Sequence, residues 1–290
     1  MFLLLGLLLS GCEKVKDALQ GAASAEVPEY VLEGGYADRA VGWTMVRKTE
    51  LKGMNMTVDA IANGSKFSGT GSLQKSKQEV IQVLGKERLR LTVQRDDSRD
   101  FFQVPGFLNE KIRNKGVLVG KYIILEKKGD AWTASFESGQ QASKEEAEQM
   151  ELLIEEMAEI EQDYGSEPRK VGDEWAVAIN GAKSGEKVSL NFVFEAVEEF
   201  RGGQCAVLGV KGVYESLKAE SGSMEETRFA VEGKIYRSLA LKEDILSELS
   251  GEFTVTTSPS IGVTVEVTGP LSVTVESEVT LPAQKAVVSQ

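Results

Sequence analysis

Apolar and polar residues alternate along most of the chain from Tyr30 onward. A period of two is typical of β-strands that bury one face. The clearest early case is residues 54–62, which Asn63-Gly64 follows directly. This dipeptide accepts the positive φ angles of a type I′ turn, so we expect a hairpin that returns through residues 67–73.

The same alternation predicts further strands on both sides of residue 170. Two more hairpins are expected, from residues 80–84 with 89–93 and from residues 117–125 with 131–136. Later strands are predicted at residues 175–179, 188–197, 205–213 and 228–241, and residues 242–250 favour a strand over a helical turn. Near the end, Gly269-Pro270 separates two alternating segments, which predicts two short strands at residues 263–267 and 271–275.

One segment, residues 143–163, has the period of a helix instead. Ser143 and Glu146 have the spacing of a capping box, and Gly165 and Pro168 lie just beyond the segment. Glutamates fill most of the remaining surface of this helix. Steps of three and four place six apolar residues on one face: Ala147, Met150, Leu153, Ile154, Met157 and Ile160.

These patterns predict a β-rich α+β fold in which largely antiparallel, curved sheets pack against one long acidic amphipathic helix. The helix and the breaker residues after it divide the chain into two β-rich halves, residues 29–164 and 165–290, which can also form one domain.

The first twelve residues form an uncharged, leucine-rich run that ends in small residues and a cysteine. The run is too short to span a bilayer, which takes about 20 apolar residues, and has the length of a signal-peptide core. The motif Leu9-Ser10-Gly11-Cys12 resembles the lipobox of bacterial lipoproteins. This resemblance implies a signal peptide over residues 1–11, lipidation of Cys12, and a tether over residues 12–28.

Lipidation implies that several acyl chains hold Cys12 at a membrane of the bacterial cell envelope. Glu13 follows the cysteine. In the lipoproteins that the motif resembles, an aspartate at this position often marks retention at the inner membrane, so the resemblance implies the outer membrane, facing the periplasm, over the inner membrane or the cell surface.

Composition removes several classes of function. The net charge is -12, with 33 Lys and Arg against 45 Asp and Glu, which argues against a nucleic acid partner. The chain contains no histidine, so His-based triads and His-ligated metal sites are excluded. No complete phosphate-binding or dinucleotide-binding motif occurs, so we expect no cofactor.

Four weaker motifs are better explained by structure than by chemistry. Ser72 to Lys75 and Ser184 to Lys187 have Ser-x-x-Lys spacing, but the companion motifs of penicillin-recognising enzymes are absent. Residues 96–100 form an acidic segment that, as a loop, is a weak calcium candidate without the glycine and final glutamate of an EF-hand. Cys205 lies in an apolar strand and is expected to be a buried, inert thiol.

The second half of the chain has a further resemblance. Pro168 is followed by Val171-Gly172-Asp173-Glu174-Trp175, then by a predicted strand and Cys205-Ala206-Val207-Leu208. Over residues 105–255 this resembles uncharacterised bacterial lipoproteins that carry a domain of unknown function. It implies a β-rich exported domain and brings no catalytic residue. A looser similarity is to carriers of lipoproteins and lipids, whose curved half-barrels close over an apolar groove with helices.

Together these features predict a non-enzymatic, lipid-anchored envelope protein that binds an apolar ligand, a lipid or an envelope protein. The alternatives are a purely structural or interaction module of the envelope and, more remotely, a hydrolase that uses carboxylates alone. The expected binding site is the cleft between sheet and helix. Its candidate lining residues are Met150, Leu153, Ile154, Met157 and Ile160.

Overall fold

The computed structural model describes residues 28–34, 39–129, 131–160, 166–180, 186–220, 223–260 and 262–282. These residues form twelve β-strands and one helix, α1 (Lys144–Ile160). The strands of the first half are β1 (Thr44–Ala62), β2 (Ser65–Gly85), β3 (Arg88–Val104), β4 (Leu108–Lys115), β5 (Tyr122–Lys128) and β6 (Ala131–Phe136). Those of the second half are β7 (Glu174–Asn180), β8 (Glu186–Phe200), β9 (Gly203–Glu220), β10 (Ser223–Ser238), β11 (Glu243–Ser260) and β12 (Val263–Thr280).

All twelve strands belong to one antiparallel sheet. Its order is β6-β5-β3-β2-β1-β12-β11-β10-β9-β8-β7, and β4 pairs with the part of β3 that β5 leaves free. The first and last strands, β1 and β12, pair at the centre and join the two halves of the chain. The predicted α+β class with a long helix is therefore wrong, because one continuous sheet with a single 17-residue helix accounts for the described fold.

The turn residues predicted the hairpins correctly. Asn63 and Gly64 connect β1 to β2 with φ angles of 50° and 79°, as a type I′ turn requires. The β2–β3 and β5–β6 hairpins also form, although β5 begins at Tyr122 rather than at residue 117. Residues 243–250 form a strand, as expected, at the start of β11.

The prediction that Gly269-Pro270 ends a strand is wrong, because β12 runs through both residues. Proline has no N–H to donate and normally interrupts a central strand. Here β1 carries one extra residue between Gly53 and Thr57, opposite Gly269-Pro270. This bulge leaves a gap in the ladder where the proline lies, so the strand can continue.

The same bulge changes which residues of β1 face the core. Met56, Val58 and Ala60 are fully buried, but Met54 lies within the bulge and is 50% exposed. The simple alternation from residue 54 to residue 62 therefore holds only from Met56 onward.

Helix α1 begins as predicted and packs beside β6. The backbone N–H of Ser143 donates to Glu146 Oε2 at 2.8 Å, and the N–H of Glu146 donates to Ser143 Oγ at 3.3 Å. This is a capping box, which satisfies two N–H groups at the helix start. The described helix ends at Ile160, and residues 161–163 of the predicted helix lie outside the described part of the chain.

Directly paired residues of an antiparallel sheet share a face, so the register divides the sheet into two faces. The inner face is defined by buried Met45, Val58, Ile81, Val267 and Ile235, and it contains three apolar clusters. The outer face carries mostly charged and hydroxyl side chains. Since one described helix cannot cover a twelve-stranded sheet, the sheet must curve around its own inner face.

Glycines on the inner face permit this curvature. A Cβ added at Gly251 would lie 1.7 Å from the carbonyl oxygen of Ala230 on β10, and one at Gly233 would lie 2.0 Å from that of Glu248 on β11. No residue with a side chain fits so close to a neighbouring backbone. Gly69 and Gly212 have the same close approach on β2 and β9.

The segment before β1 is fixed to the second half of the sheet. Leu32 is buried in the cluster that contains Phe194 and Leu208. The guanidinium of Arg237 donates from Nε to the Leu32 carbonyl oxygen at 2.7 Å and pairs through Nη1 with Asp244 at 2.6 Å. The described chain from residue 28 thus contacts the sheet where β10 ends and β11 begins.

Candidate functional site

The ends of the sheet differ in how their inner face is covered. At the near end, where β1 starts, α1 covers a cluster that includes Trp43, Met45 and Trp132. At the far end, where β1 turns into β2, the third cluster is built from side chains of the strands and of the β3–β4 turn. Within the described residues, no helix covers the far end, so strand and turn side chains alone enclose its cluster.

Partly exposed aromatic and branched side chains line this far end, and we call them the aromatic surface. Phe229 and Phe253 are directly opposite each other on β10 and β11, with ring centroids 6.5 Å apart in an edge-on arrangement. Phe67 on β2 stacks on Phe107 of the β3–β4 turn at 5.4 Å. The remaining members are Phe102, Val255 and Val265, and all seven are only partly buried.

A band of charged residues crosses the inner face of β1, β2 and β3. It lies between the near-end cluster beneath α1 and the far-end cluster. Glu79 is 3% exposed, and its Oε1 lies 2.5 Å from Lys77 Nζ. Arg47 is directly opposite Glu79 on β1. A buried carboxylate is stable only beside cations or hydrogen-bond donors, and the ion pair with Lys77 supplies such a cation to Glu79.

The charged band continues toward the aromatic surface. Lys75 Nζ lies 3.6 Å from Asp96 Oδ1, in a pair whose lysine is about half exposed. Asp100 follows on the same face of β3, directly opposite Leu73. Burial raises the pKa of Asp100, although the backbone N–H of Gln74 and the charge of Lys75 partly oppose this shift. The aromatic surface is thus bordered by groups that bind polar or charged atoms.

The structure brings three of the five predicted groove residues together. Met150 and Leu153 are each 5% exposed and lie in the near-end cluster, with Ile154 packed against it. Met157 and Ile160 belong to α1, but their side chains lie outside the described part of the chain. Where the structure describes it, the contact of α1 with the sheet is packed.

The lipobox residues Leu9, Ser10, Gly11 and Cys12 also lie outside the described part of the chain. Cys205 is 1% exposed, and burial raises the pKa of its thiol. The described contact of its Sγ is with the Phe200 carbonyl oxygen at 4.0 Å. A buried thiol with a raised pKa is a poor nucleophile, as the sequence indicated.

Two of the weaker motifs lie on strands that separate their members, while Ser184 of the second Ser-x-x-Lys motif lies outside the described part of the chain. Ser72 and Lys75 are three residues apart on β2, so their side chains point to opposite faces and cannot form a dyad. Residues 96–100 are part of β3 and not a loop, so their side chains also alternate between faces. Within the described residues, no cluster of metal-ligating side chains is found, and no helix is long and apolar enough to cross a membrane.

The aromatic surface was missed from the sequence. Its signal is present in the alternation of Phe229, Val231 and Gly233 on β10 and of Phe253 and Val255 on β11. The sequence does not reveal that these strands are neighbours, or that their aromatic residues fall on a part of the inner face that α1 leaves uncovered.

No family model matches the chain, and no curated protein matches it. Among solved structures, a lipovitellin structure concerned with lipid–protein interactions aligns at 9% identity over 87% of this chain and 27% of that one, with a TM-score of 0.44. The outer membrane protein OprG from Pseudomonas aeruginosa aligns at 8% identity over 83% of this chain and 98% of that one, with a TM-score of 0.25.

An outer membrane channel from Pseudomonas putida F1 aligns at 10% identity over 85% of this chain and 98% of that one, with a TM-score of 0.26. The chain thus spans about a quarter of the lipovitellin chain. These similarities are too slight to indicate a function.

Proposed function

We propose that this chain is a lipid-anchored protein of the bacterial envelope that binds an amphipathic lipid on its inner face and performs no catalysis. The observation that carries the proposal is the aromatic surface, where apolar side chains of neighbouring strands remain partly exposed. Soluble proteins rarely leave contiguous apolar surface uncovered unless it binds something.

The surroundings of the aromatic surface fit a ligand with two chemical ends. Sites for small molecules are mostly apolar with a few polar groups that fix orientation. Acyl chains would lie over Phe229, Phe253 and Val255, and a polar head group would reach the charged band at Lys75 and Asp96. Lys75 suits this role because its pair with Asp96 is loose and partly exposed.

The cleft beneath α1 is the second place for an apolar ligand. Met150 and Leu153 are already packed against the sheet there, so a ligand would have to displace protein contacts. The side chains of the aromatic surface are only partly buried, so a ligand would displace fewer protein contacts there, and we therefore prefer it.

Photo-crosslinking tests the lipid proposal on the full chain. Cells that express it are fed a fatty acid carrying a diazirine and an alkyne, irradiated, and the crosslinked peptides are mapped by mass spectrometry. We expect crosslinks within β10 and β11. Phe229→Ala with Phe253→Ala should reduce them severalfold, whereas Leu217→Ala, which truncates an exposed leucine of β9, should not.

Phe253→Leu keeps an apolar side chain and serves as a folding control, so it should retain most of the crosslinking. Labelling confined to the peptide that contains Cys12 would overturn the lipid proposal and favour a structural or interaction module.

The anchor is tested separately. Cys12→Ala should abolish labelling by an alkyne fatty acid without a photoreactive group and should leave the signal peptide uncleaved. Equal labelling of Cys12→Ala and the natural chain would contradict lipidation at this residue.

A further inference from the structure

The outer face carries a cluster of cations that is unexpected in a chain of net charge -12. We call it the basic patch, and it crosses strands β1 to β4 level with Lys52, near the middle of β1. Its members are Lys52 on β1, Arg95 and Arg99 on β3, and Lys111, Arg113 and Lys115 on β4.

The strand register places these cations on one face. Lys52 pairs with Gln74, Gln74 with Arg99, and Arg99 with Arg113, so three cations and an amide form a row across four strands. At about 4.8 Å between strands, the row spans roughly 14 Å. Lys111 and Lys115 lie on either side of Arg113 on the same face of β4.

The carboxylates within the patch do not neutralise it. Glu50 lies 2.5 Å from Lys52, and Asp97 lies 2.8 Å from Arg95. Among the described residues, no carboxylate lies within ion-pair distance of the other four cations, Arg99, Lys111, Arg113 and Lys115, and all four are exposed. Asp97 is directly opposite Lys115 in the strand register, so the patch holds six cations against the two carboxylates Glu50 and Asp97. A groove of about 160 Å³ lies between Lys52, Arg95 and Arg99, and the carboxylates Glu50 and Asp97 also line it.

Protection of a free sheet edge explains only part of this arrangement. Lysines on an edge strand such as β4 discourage pairing with other chains. Arg95, Arg99 and Lys52 lie on interior strands, where no such protection is needed. Their alignment with the β4 cations therefore requires another reason.

We propose that the basic patch binds a membrane surface that carries anionic phospholipid head groups. Several exposed cations on one face of neighbouring strands can contact the phosphates of a membrane surface together, and each Lys or Arg near such a surface strengthens binding roughly fivefold. The inference goes beyond ligand binding on the inner face. The proposed tether, residues 12–28, spans at most about 60 Å when fully extended, which leaves the sheet room to turn its outer face to the membrane.

Vesicle flotation tests the patch. The full chain with Cys12→Ala is used, because this variant lacks acyl chains while its leucine-rich segment contributes equally to every measurement. Vesicles of phosphatidylcholine alone are compared with vesicles containing about a third phosphatidylglycerol, at about 0.1 M salt. Replacing Arg99, Arg113 and Lys115 with Gln should lower binding to the anionic vesicles on the order of a hundredfold and leave binding to the neutral ones unchanged.

A matched control removes three cations elsewhere on the outer face, with Lys211→Gln, Arg228→Gln and Lys234→Gln on β9 and β10. These replacements change the net charge equally, and Arg228 and Lys234 are already paired with Glu215 and Glu195. We expect at most about a threefold effect from this control. Circular dichroism at neutral pH should show both triple variants folded.

Three results would overturn the proposal: unchanged binding of the patch variant, an equal loss in the control, or an equal loss on neutral vesicles. Competition by soluble glycerol phosphate at matched ionic strength would also overturn it, because that result indicates a soluble phosphate ligand instead of a membrane.

Discussion

Single residues decide how tightly this sheet can curve and how its helix begins. At Gly251 and Gly233, the backbone of the neighbouring strand occupies the position that a side chain would need. Ser143 and Glu146 fix the start of α1 through two hydrogen bonds. Both effects are local, so each can be tested by one substitution.

Gly251→Ala should destabilise the protein by about 1 to 3 kcal/mol or more, because the new methyl group would collide with the Ala230 carbonyl oxygen. Ser250→Ala, on the exposed outer face next to it, should change the free energy of unfolding by less than about 0.5 kcal/mol. Urea unfolding followed by circular dichroism measures both. Equal stability of Gly251→Ala and the natural chain would contradict the close approach of β10 and β11.

The capping box should make the helix start sensitive to pH. Hydrogen bonds from the backbone and hydroxyl of Ser143 lower the pKa of Glu146, and Lys121 adds to this effect. A lowered pKa means that the stabilisation is present above the ordinary pKa of 4.5 and is lost as pH falls through the folded-state value.

Glu146→Gln should therefore be less stable than the natural chain at pH 7, and the difference should shrink as pH falls below about 4.5. Melting temperatures of both proteins between pH 7 and pH 3 measure this. A constant difference in melting temperature across that range would mean that the ionised form of Glu146 does not stabilise the helix start more than the protonated form does.

Secondary structure elements were largely predictable where their signals are local. Asn63-Gly64 identified a hairpin, and Ser143 with Glu146 identified a helix start, because each signal lies within the element itself. The continuation of β12 through Pro270 was not predictable, because the bulge that permits it lies on β1, far away in the sequence. The exposure of Met54 has the same distant cause.

Within α1, adjacent leucines separate packing from exposure. Leu153 is 5% exposed in the near-end cluster, while Leu152 is 44% exposed. Leu153→Ala should cost about 2 to 5 kcal/mol through lost contacts and the cavity left behind. Leu152→Ala should cost less than about 0.5 kcal/mol. Denaturant midpoints measure both, and a small effect of Leu153→Ala would instead support the ligand cleft predicted beneath α1.

The architecture and the candidate site depend on which strands become neighbours. Alternation predicted most strands, and hairpins predicted the sequential pairs, but the pairing of β1 with β12 joins opposite ends of the chain. That pairing turns two apparent β-rich halves into one sheet. The aromatic surface and the basic patch have the same origin, since each combines side chains from several strands that only the sheet order brings together.

If β1 and β12 unite the halves, the molecule should unfold as one unit. Trp43 is buried in the near-end cluster of the first half, and Trp175 stacks on Phe192 in the second half with ring centroids 5.2 Å apart. Two variants are made, one that retains only Trp43 and one that retains only Trp175, with the other tryptophans replaced by Phe. The fluorescence of each variant then reports the unfolding of one half. In each variant, urea transitions followed by fluorescence and by circular dichroism should coincide.

A substitution at the junction sharpens this test. Val267 is buried on β12, between β1 and β11. Val267→Ala should therefore lower the urea midpoint reported by Trp43 and the urea midpoint reported by Trp175 by the same amount. Independent halves would respond differently: the reporter in one half would lose its signal at lower urea while the other kept its midpoint, and circular dichroism would fall in two steps. That outcome would place a domain boundary within the sheet. An equal shift of both midpoints instead means that the two halves are energetically coupled through the pairing of β1 with β12, so that a substitution in β12 destabilises both.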